Sequence, residues 1–459
     1  MTMSSITFLY FFLPLFVGVY ALTPKKHRAK TLILGEGVFI RWHSLWALIP
    51  LGLSSLCAYI LGMLIDNRRS DKPRQKKVLA VMIGIELSFL VICVLAASGA
   101  VKSELAAKAF PPLGVFVYTL SSLSYCFDVF KGEIRCDHRF SLVTAYVGFF
   151  PCLTAGPLMR YGKVLPQFEA PEITLDKLSR GISLYLKGLA EKCVLSATVY
   201  SMWAQLTKLD IGGVSATTAW LGLITGGLFV YFEFASISHM ARGIALMLGI
   251  ELPVNFDHPF KSGTVTELVK RFNVSVTAWF VDYIYSPING DGKSRAFTAL
   301  ATIATGVTLS MWYGPGLSRL VFGVYAGILC IAELWWIKRP SKGFARVLTL
   351  IITMALMHLG VVFFISNDTS YALSYILAVF GRNGMLIDNL TLYFFENYAV
   401  ILGICIFITT GLADLIYKKL DSYKVSFLPF LQPVWQLLLH VLCTAFLSGS
   451  AQSIPGLMN

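Results

Sequence analysis

Charge is what this chain has least of. Only 14% of its 459 residues are Asp, Glu, Lys or Arg, far fewer than the surface of a water-soluble protein carries. Long polar stretches are missing too, so no soluble domain fits anywhere along it. Acidic residues are scarcer than basic ones, 25 against 38, which leaves a net charge of +13. That excess sits in short loops between apolar runs. This is the positive-inside pattern of a membrane protein, and no nucleic-acid partner is implied. The nine cysteines are scattered singly without a close C-x-x-C pair. They read as small buried hydrophobes, and neither a disulfide framework nor a zinc site is suggested. H-E-x-x-H spacing is absent. LGEG (34–37) and INGDGKS (288–294) carry glycines but lack the P-loop pattern. No internal repeat is visible, which argues against the many secondary-transporter folds built from related halves.

What the chain does have is apolar length. It is 56% hydrophobic with a mean hydropathy of +0.69, and many runs approach the roughly 20 residues that cross a bilayer as a helix. The runs are continuous rather than alternating, which excludes a membrane barrel. The expected fold class is an all-α polytopic membrane protein, with about twelve transmembrane helices around a central cavity or tunnel and one membrane domain over 1–459. MTMSSITFLYFFLPLFVGVYAL lacks a basic leader and is read as a first membrane helix that stays.

Basic clusters anchor the topology on the cytoplasmic side: Lys25, Lys26, Arg28 and Lys30; DNRRSDKPRQKK at 66–77; Lys131, Arg135 and Arg139 with Arg160 and Lys163; Lys338, Arg339, Lys342 and Arg346; Lys418, Lys419 and Lys424. Between them, crossings are expected in 31–64 (two), 78–98, 109–129, 182–206, 217–249, 297–312, 316–336, 347–366 and 392–416, besides the first and last helices. Two apolar stretches do not fit as crossings. One is 140–159, broken by Pro151, Gly156 and Pro157; the other is 254–293. Irregular backbone at membrane depth survives only inside protein or along a wet cavity. Both are therefore expected to be re-entrant or interfacial elements lining a cavity open to the cytoplasm. The alternative for 254–275 is an amphipathic helix lying flat at the interface.

The run LVKRFNVSVTAWFVDYIYSPI (268–288) sets Lys270, Arg271, Asn273, Ser275, Thr277 and Asp282 among aromatics. On a helix no single outward face takes Arg271, Asn273 and Asp282 together, so some of them are expected to point inward. Polar groups at this depth usually mark a site.

These residues, with others in order along the chain, resemble the membrane-bound O-acyltransferase family, in the branch of the alginate O-acetylation and teichoic-acid D-alanyl transfer membrane proteins. PPLGVFVYTLSSLSYCFDVFKGEI (111–134) is similar to the branch's P-x-G-[IV]-S-F-Y…S-Y-x-x-D-V-Y-x-G stretch. AYVGFFPCLTAGPLMRYGKVLPQF (145–168) is similar to its F-F-P-x-L-x-A-G-P-I-x-R stretch, and 219–262 to its Y-F-D-F-S-G-Y-S-D-M-A-x-G…N-F-x-x-P-Y stretch. Where the branch reads R-W-H-x-S-L-S-x-W-F-x-D-Y, this chain reads Arg271 to Tyr283 with Asn273 at the histidine. Where the branch reads W-H-G around its catalytic histidine, this chain has Trp312-Tyr313-Gly314.

The resemblance implies that Tyr313 and Asn273 occupy the two active-site positions, with Arg271, Trp279, Asp282 and Trp312 shaping and holding them. The substitution bears on the chemistry. Acyl transfer to a hydroxyl needs the alcohol proton removed as the thioester carbonyl is attacked, and histidine, titrating near pH 7, suits that task. A phenol of pKa about 10 is ionised roughly one part in a thousand at pH 7. Three routes remain open: His358 or His239 as a substitute base, an acyl-tyrosine relay at Tyr313, or transfer by positioning and desolvation alone.

By resemblance the expected activity is movement of an acyl group, an acetyl above all, from a cytoplasmic thioester to a hydroxyl of a cell-surface polysaccharide or relay protein. The implied partners are membrane lipid, an acyl-CoA or acyl carrier protein as donor substrate, and an extracytoplasmic acceptor. No bound cofactor or metal is expected, and the location is a bacterial plasma membrane. The competing reading is a catalytically silent relative that serves as scaffold or acyl conduit. A solute transporter is the third class.

Overall fold

The computed structural model describes residues 2–42, 44–97, 112–292, 294–314, 316–335, 343–366, 368–413, 415–416, 419 and 428–449. Of the basic anchors, Lys338, Arg339, Lys342, Lys418 and Lys424 lie outside this set. Among the described residues there is no β-strand, only an isolated antiparallel bridge between Phe256 and Phe272. Every segment expected to cross the bilayer is helical where described. Among the described residues six helices are long and apolar enough to span: Leu45–Asp66, Lys72–Ala96, Ala216–Met247, Leu317–Trp335, Phe344–Ile365 and Asn389–Thr409. The remaining expected crossings are shorter, more polar or carry π-helical turns, such as Glu191–Ser196 between Leu175–Ala190 and Ala197–Leu206. The protein is an all-α, multi-pass membrane protein.

The chain forms two compact units. The first holds the residues up to Gly188 together with Ile237–Pro253. Its apolar packing includes rings from successive turns: Phe8, Phe12, Phe16, Phe39 and Phe150 lie within 5.2–6.3 Å of one another in sequence of contact. The stretch 140–159, expected to be re-entrant or interfacial, lies in this unit. Its one helix, Phe140–Val147, has 8 residues, about 12 Å at 1.5 Å per residue, and is followed by buried irregular backbone in which Ala155 takes a positive φ of 84°. Outside the bilayer segments, burial works against the Asp137 carboxylate, but hydrogen bonds from Arg139 and Tyr161 overcome it and hold its pKa below the usual value.

The second unit holds Leu189–Ser236 and the chain from Val254 onward. One core gathers Trp203, Leu223, Val362, Phe363 and Tyr375. A helix not foreseen in the sequence, Thr369–Val379, carries Tyr375, whose hydroxyl donates to the Ala219 carbonyl at 3.0 Å. At 11 residues it is too short for a membrane-length signal. Helices Arg295–Trp312 and Leu317–Trp335 pack as a tight hairpin. A Cβ on Gly306 would meet the Gly323 carbonyl at 2.6 Å, so the absence of side chains lets the two backbones touch.

The stretch 254–293 is not one amphipathic helix. Its described helical pieces are a 3-10 turn Pro259–Lys261, Val265–Arg271, Val274–Phe280, a π-helical turn Val281–Tyr285 and Ser286–Asn289. Thr264 caps Val265–Arg271 by accepting from the Glu267 N–H. The Glu333 carboxylate, reaching from Leu317–Trp335, accepts from the Val265 and Thr266 N–H groups, which satisfies donors that a helix start leaves free. The break falls at Asn273, held in the left-handed region at φ 53° and ψ 56°. Asn tolerates that region better than most residues.

Candidate active site

The left-handed turn at Asn273 aims its amide inward, and Asn273 is 1% exposed. The amide Nδ2 donates to the Tyr313 hydroxyl at 2.8 Å. Tyr313 follows the last residue of Arg295–Trp312 and is itself buried. Its ring is boxed by Phe234 at 4.6 Å, Trp312 at 4.8 Å and Phe364 at 5.3 Å, all edge-on.

Behind Asn273 lies Asn255, a residue to which the sequence reading gave no role. Its Nδ2 donates to Asn273 Oδ1 at 2.8 Å. Its Oδ1 accepts from the Ser275 backbone N–H at 2.9 Å, and its carbonyl accepts from Val274 N at 2.8 Å. Asn255 is the asparagine of the N-F-x-x-P-Y match, so the signal was present in the motif; only its contact with Asn273 was hidden. The bridge between Phe256 and Phe272 clamps the two segments in register.

Tyr313 closes one end of a cavity of about 370 Å³, within the usual size of a small-molecule site. The walls are largely apolar, with Leu268, Val269, Leu309, Phe322, Met357 and Phe364 among them. Along Arg295–Trp312 the lining runs from Thr302 to Tyr313, about 16 Å at 1.5 Å per residue. The other end is bordered by Lys270, Tyr285 and Leu334. Lys270 and Leu334 are exposed there.

The remaining residues singled out from sequence divide. Trp312 packs on Tyr313, as expected. Trp279 is buried against Phe280 and Tyr283 and does not line the cavity. Arg271 and Asp282 are not brought to the phenol. Arg271 pairs outward with Glu267 at 2.9 Å and Asp257 at 3.9 Å, and Asp282 is exposed. The helix assumed for this run breaks at Asn273, so of the three only Asn273 turns inward. A different cation approaches the ring box: the Arg319 guanidinium lies 5.9 Å from the centre of the Phe364 ring, and its buried Nε has no hydrogen-bond partner among the described residues.

His358 does line the cavity. Its Nδ1 donates to the Met354 carbonyl at 2.7 Å, its ring lies parallel to Phe260 at 6.0 Å, and its Nε2 rests where a Cβ on Gly227 would collide, at 2.5 Å. It lies six positions before Phe364, the residue on its helix that touches Tyr313. That separates the two backbone positions by about 9 Å along the axis. His239 is buried and belongs to the first unit. Among the described residues no group of His, Cys, Asp and Glu could hold a metal ion.

Comparison with known proteins agrees with the geometry. The profile of the membrane-bound O-acyltransferase family matches residues 2–378. The chain is similar to "Probable alginate O-acetylase" of Pseudomonas fluorescens, 29% identical over 334 residues, covering 72% of this chain and 66% of that one. It is similar to the peptidoglycan O-acetyltransferase of Helicobacter pylori, 23% identical, covering 61% of this chain and 59% of that one. It is also similar to the teichoic acid D-alanyltransferase of Lacticaseibacillus rhamnosus, 25% identical, covering 50% and 60%. The matches thus span from just under three fifths to two thirds of these relatives' lengths.

Proposed function

The chain belongs to the membrane-bound O-acyltransferase family, and on that premise we propose that it is an acyltransferase. It takes an acyl group, an acetyl above all, from a cytoplasmic thioester and passes it to a hydroxyl of an extracytoplasmic polysaccharide or relay protein. The observation that carries this reading is the cavity itself. It is a largely apolar cavity whose lining runs about 16 Å along Arg295–Trp312, with the exposed Lys270 and the buried Tyr313, held by Asn273, both on its wall. The arm of a pantetheine thioester, a slender chain ending in the reactive carbonyl, suits that shape. Lys270 at the mouth suits the phosphate that such an arm carries, whether the donor is acyl-CoA or an acyl carrier protein.

The names of the relatives, which describe acyl transfer to alginate, peptidoglycan and teichoic acid, support a polymer or its relay as the acceptor. The second reading, a silent relative acting as scaffold or acyl conduit, is favoured by one observation: among the described residues, Tyr313 bonds to Asn273 and packs on Phe234, Trp312 and Phe364, with no histidine hydrogen-bonded to it.

The test is transfer in proteoliposomes with radiolabelled acetyl-CoA added on one side only. Ester formed on an acceptor hydroxyl, lost when Lys270 becomes Glu and the mouth repels phosphate, is the expected result. No ester with any acyl thioester, from protein that still binds the donor, sinks the enzyme reading in favour of the silent one.

A further inference from the structure

The buried relay behind Tyr313 has a fixed direction. An asparagine amide can be turned end for end in a structure, and the assignment rests on its neighbours. Here the first neighbour cannot turn. The Ser275 backbone N–H is a donor only, so the atom of Asn255 that meets it at 2.9 Å is Oδ1. Asn255 therefore presents Nδ2 to Asn273. Asn273 must answer with Oδ1, and it presents its own Nδ2 to the phenol. Three donors point the same way, through side chains that are each 6% exposed or less. The Tyr313 oxygen is the acceptor at the end of the line. Its own proton is not used by Asn273 and has no other partner among the described residues, while the residue lines the cavity.

From this we infer that Tyr313 acts as a hydrogen-bond donor to the thioester carbonyl, with Asn255 as the positioning residue that sets the relay's polarity. The inference rests on the proposed acyl transfer and deepens it. A chain of hydrogen bonds polarises each member in turn, so the phenol O–H is a better donor than an isolated one. As the acceptor oxygen bonds to the carbonyl carbon, negative charge develops on the carbonyl oxygen and Tyr313 stabilises it. When that intermediate collapses, the C–S bond breaks, the sulfur leaves with the electron pair, and the acceptor's hydroxyl proton ends on the sulfur. The products are an ester and a thiol, with no atom unaccounted for. Tyr313 is unchanged and never has to ionise, which removes the difficulty of a phenol in a base's place.

The relay suggests an isosteric test. In Asn255→Asp the side chain keeps its shape but offers only acceptors when ionised. The Ser275 N–H still meets one oxygen; the other now faces Asn273, which turns to donate to it. Asn273 then presents Oδ1 to the phenol, and the Tyr313 proton is drawn out of the cavity.

The experiment uses full-length protein in nanodiscs with acetonyl-CoA, a ketone analogue of the donor carrying a ¹³C carbonyl, read by isotope-edited infrared spectroscopy. In the native protein the carbonyl band is expected to move to lower frequency than in water-free solvent. That shift is expected to vanish in Tyr313→Phe and in Asn255→Asp, while both variants stay folded by thermal melt. Turnover of acetyl-CoA is expected to fall about 100- to 1,000-fold in kcat in Tyr313→Phe, the loss typical of a missing oxyanion donor, with KM little changed. An unshifted band in the native protein, or a shift that survives both variants, overturns the inference even if acyl transfer is real. A shift that behaves as expected in a protein that never forms ester leaves the relay standing and removes the proposed function instead.

Discussion

Two buried polar networks in the second unit handle the same problem differently. Lys192, on the π-helical turn Glu191–Ser196, meets both oxygens of Glu233, and Ser196 adds a third bond at 3.1 Å. The two charged side chains are 7% and 3% exposed. This network closes on itself: charge meets charge, and Ser196 takes up a further lone pair of the carboxylate. The Asn255–Asn273–Tyr313 relay carries no charge and is open, ending on a proton that none of the described residues accepts. A closed network holds helices together, whereas an open one offers something to a ligand. The difference teaches where to look for chemistry in a membrane interior. Burial and polarity alone do not separate the two; the unspent valence at the end does.

The comparison is broken most forcefully at the closed end. Removing one partner of a buried pair strands the other charge, a loss of about 3–5 kcal/mol. Glu233→Gln is therefore expected to lower the melting temperature sharply, whereas the double change Lys192→Met with Glu233→Leu recovers most of it. If Glu233→Gln melts like the native protein, the pair is not what holds these helices. The open end should respond differently. Tyr313→Phe is expected to cost the fold less, about 1–3 kcal/mol for the Asn273 donor left without its acceptor, while activity falls by the equivalent of about 2.7–4 kcal/mol, a difference that paired activity and thermal assays read.

A third, smaller effect belongs to Asp388, which caps Asn389–Thr409 and accepts from Thr218, Ser215 and Thr391 at 2.6–2.9 Å. Burial raises its pKa, but these bonds outweigh it and bring it down to about 2. A lowered carboxylate stabilises the fold fully above its unfolded value of about 3.9 and loses that contribution as pH falls through about 2. Asp388→Asn is expected to cost about 1–2 kcal/mol, typical of a weakened cap, and to flatten the acid limb of the stability profile between those values. An acid limb unchanged in the variant would contradict this. Next, His358→Gln should reduce turnover by much less than the roughly hundredfold or greater loss that follows removal of a general base; a full loss with the fold intact would move the base to the middle of the cavity. The smallest effect is expected at Arg271→Gln, an exposed-side pair worth about 0–1 kcal/mol, with turnover unaffected.

Much of this was legible in the sequence because the bilayer demands it. Apolar length gave the helices, and motif order gave the positions of Asn273 and Tyr313. What stayed hidden depends on facts that are not periodic. Arg271 and Asn273 stand two residues apart and looked alike as polar groups at depth. A single left-handed residue, with φ 53° at Asn273, turns one inward and leaves the other with Glu267 and Asp257. Asn255 lies 18 residues before its partner, and only the Phe256–Phe272 bridge brings them together. Thr369–Val379 was missed because 11 residues fall below any membrane-length window. His358 looked eligible as a base by residue type; its place along Phe344–Ile365, about 9 Å from Phe364 along the axis, is a fact that residue type does not carry.

The central claim is that transfer proceeds with a neutral phenol and no titrating base at the carbonyl. The dependence of kcat on pH in nanodiscs, at saturating thioester and acceptor, tests it most directly. A rate that stays level from about pH 6 to 8 is expected, since histidine titrates in that window and a phenol does not. A rate that rises through a single ionisation near pH 7, and loses that dependence in His358→Gln or His239→Gln, would contradict the account.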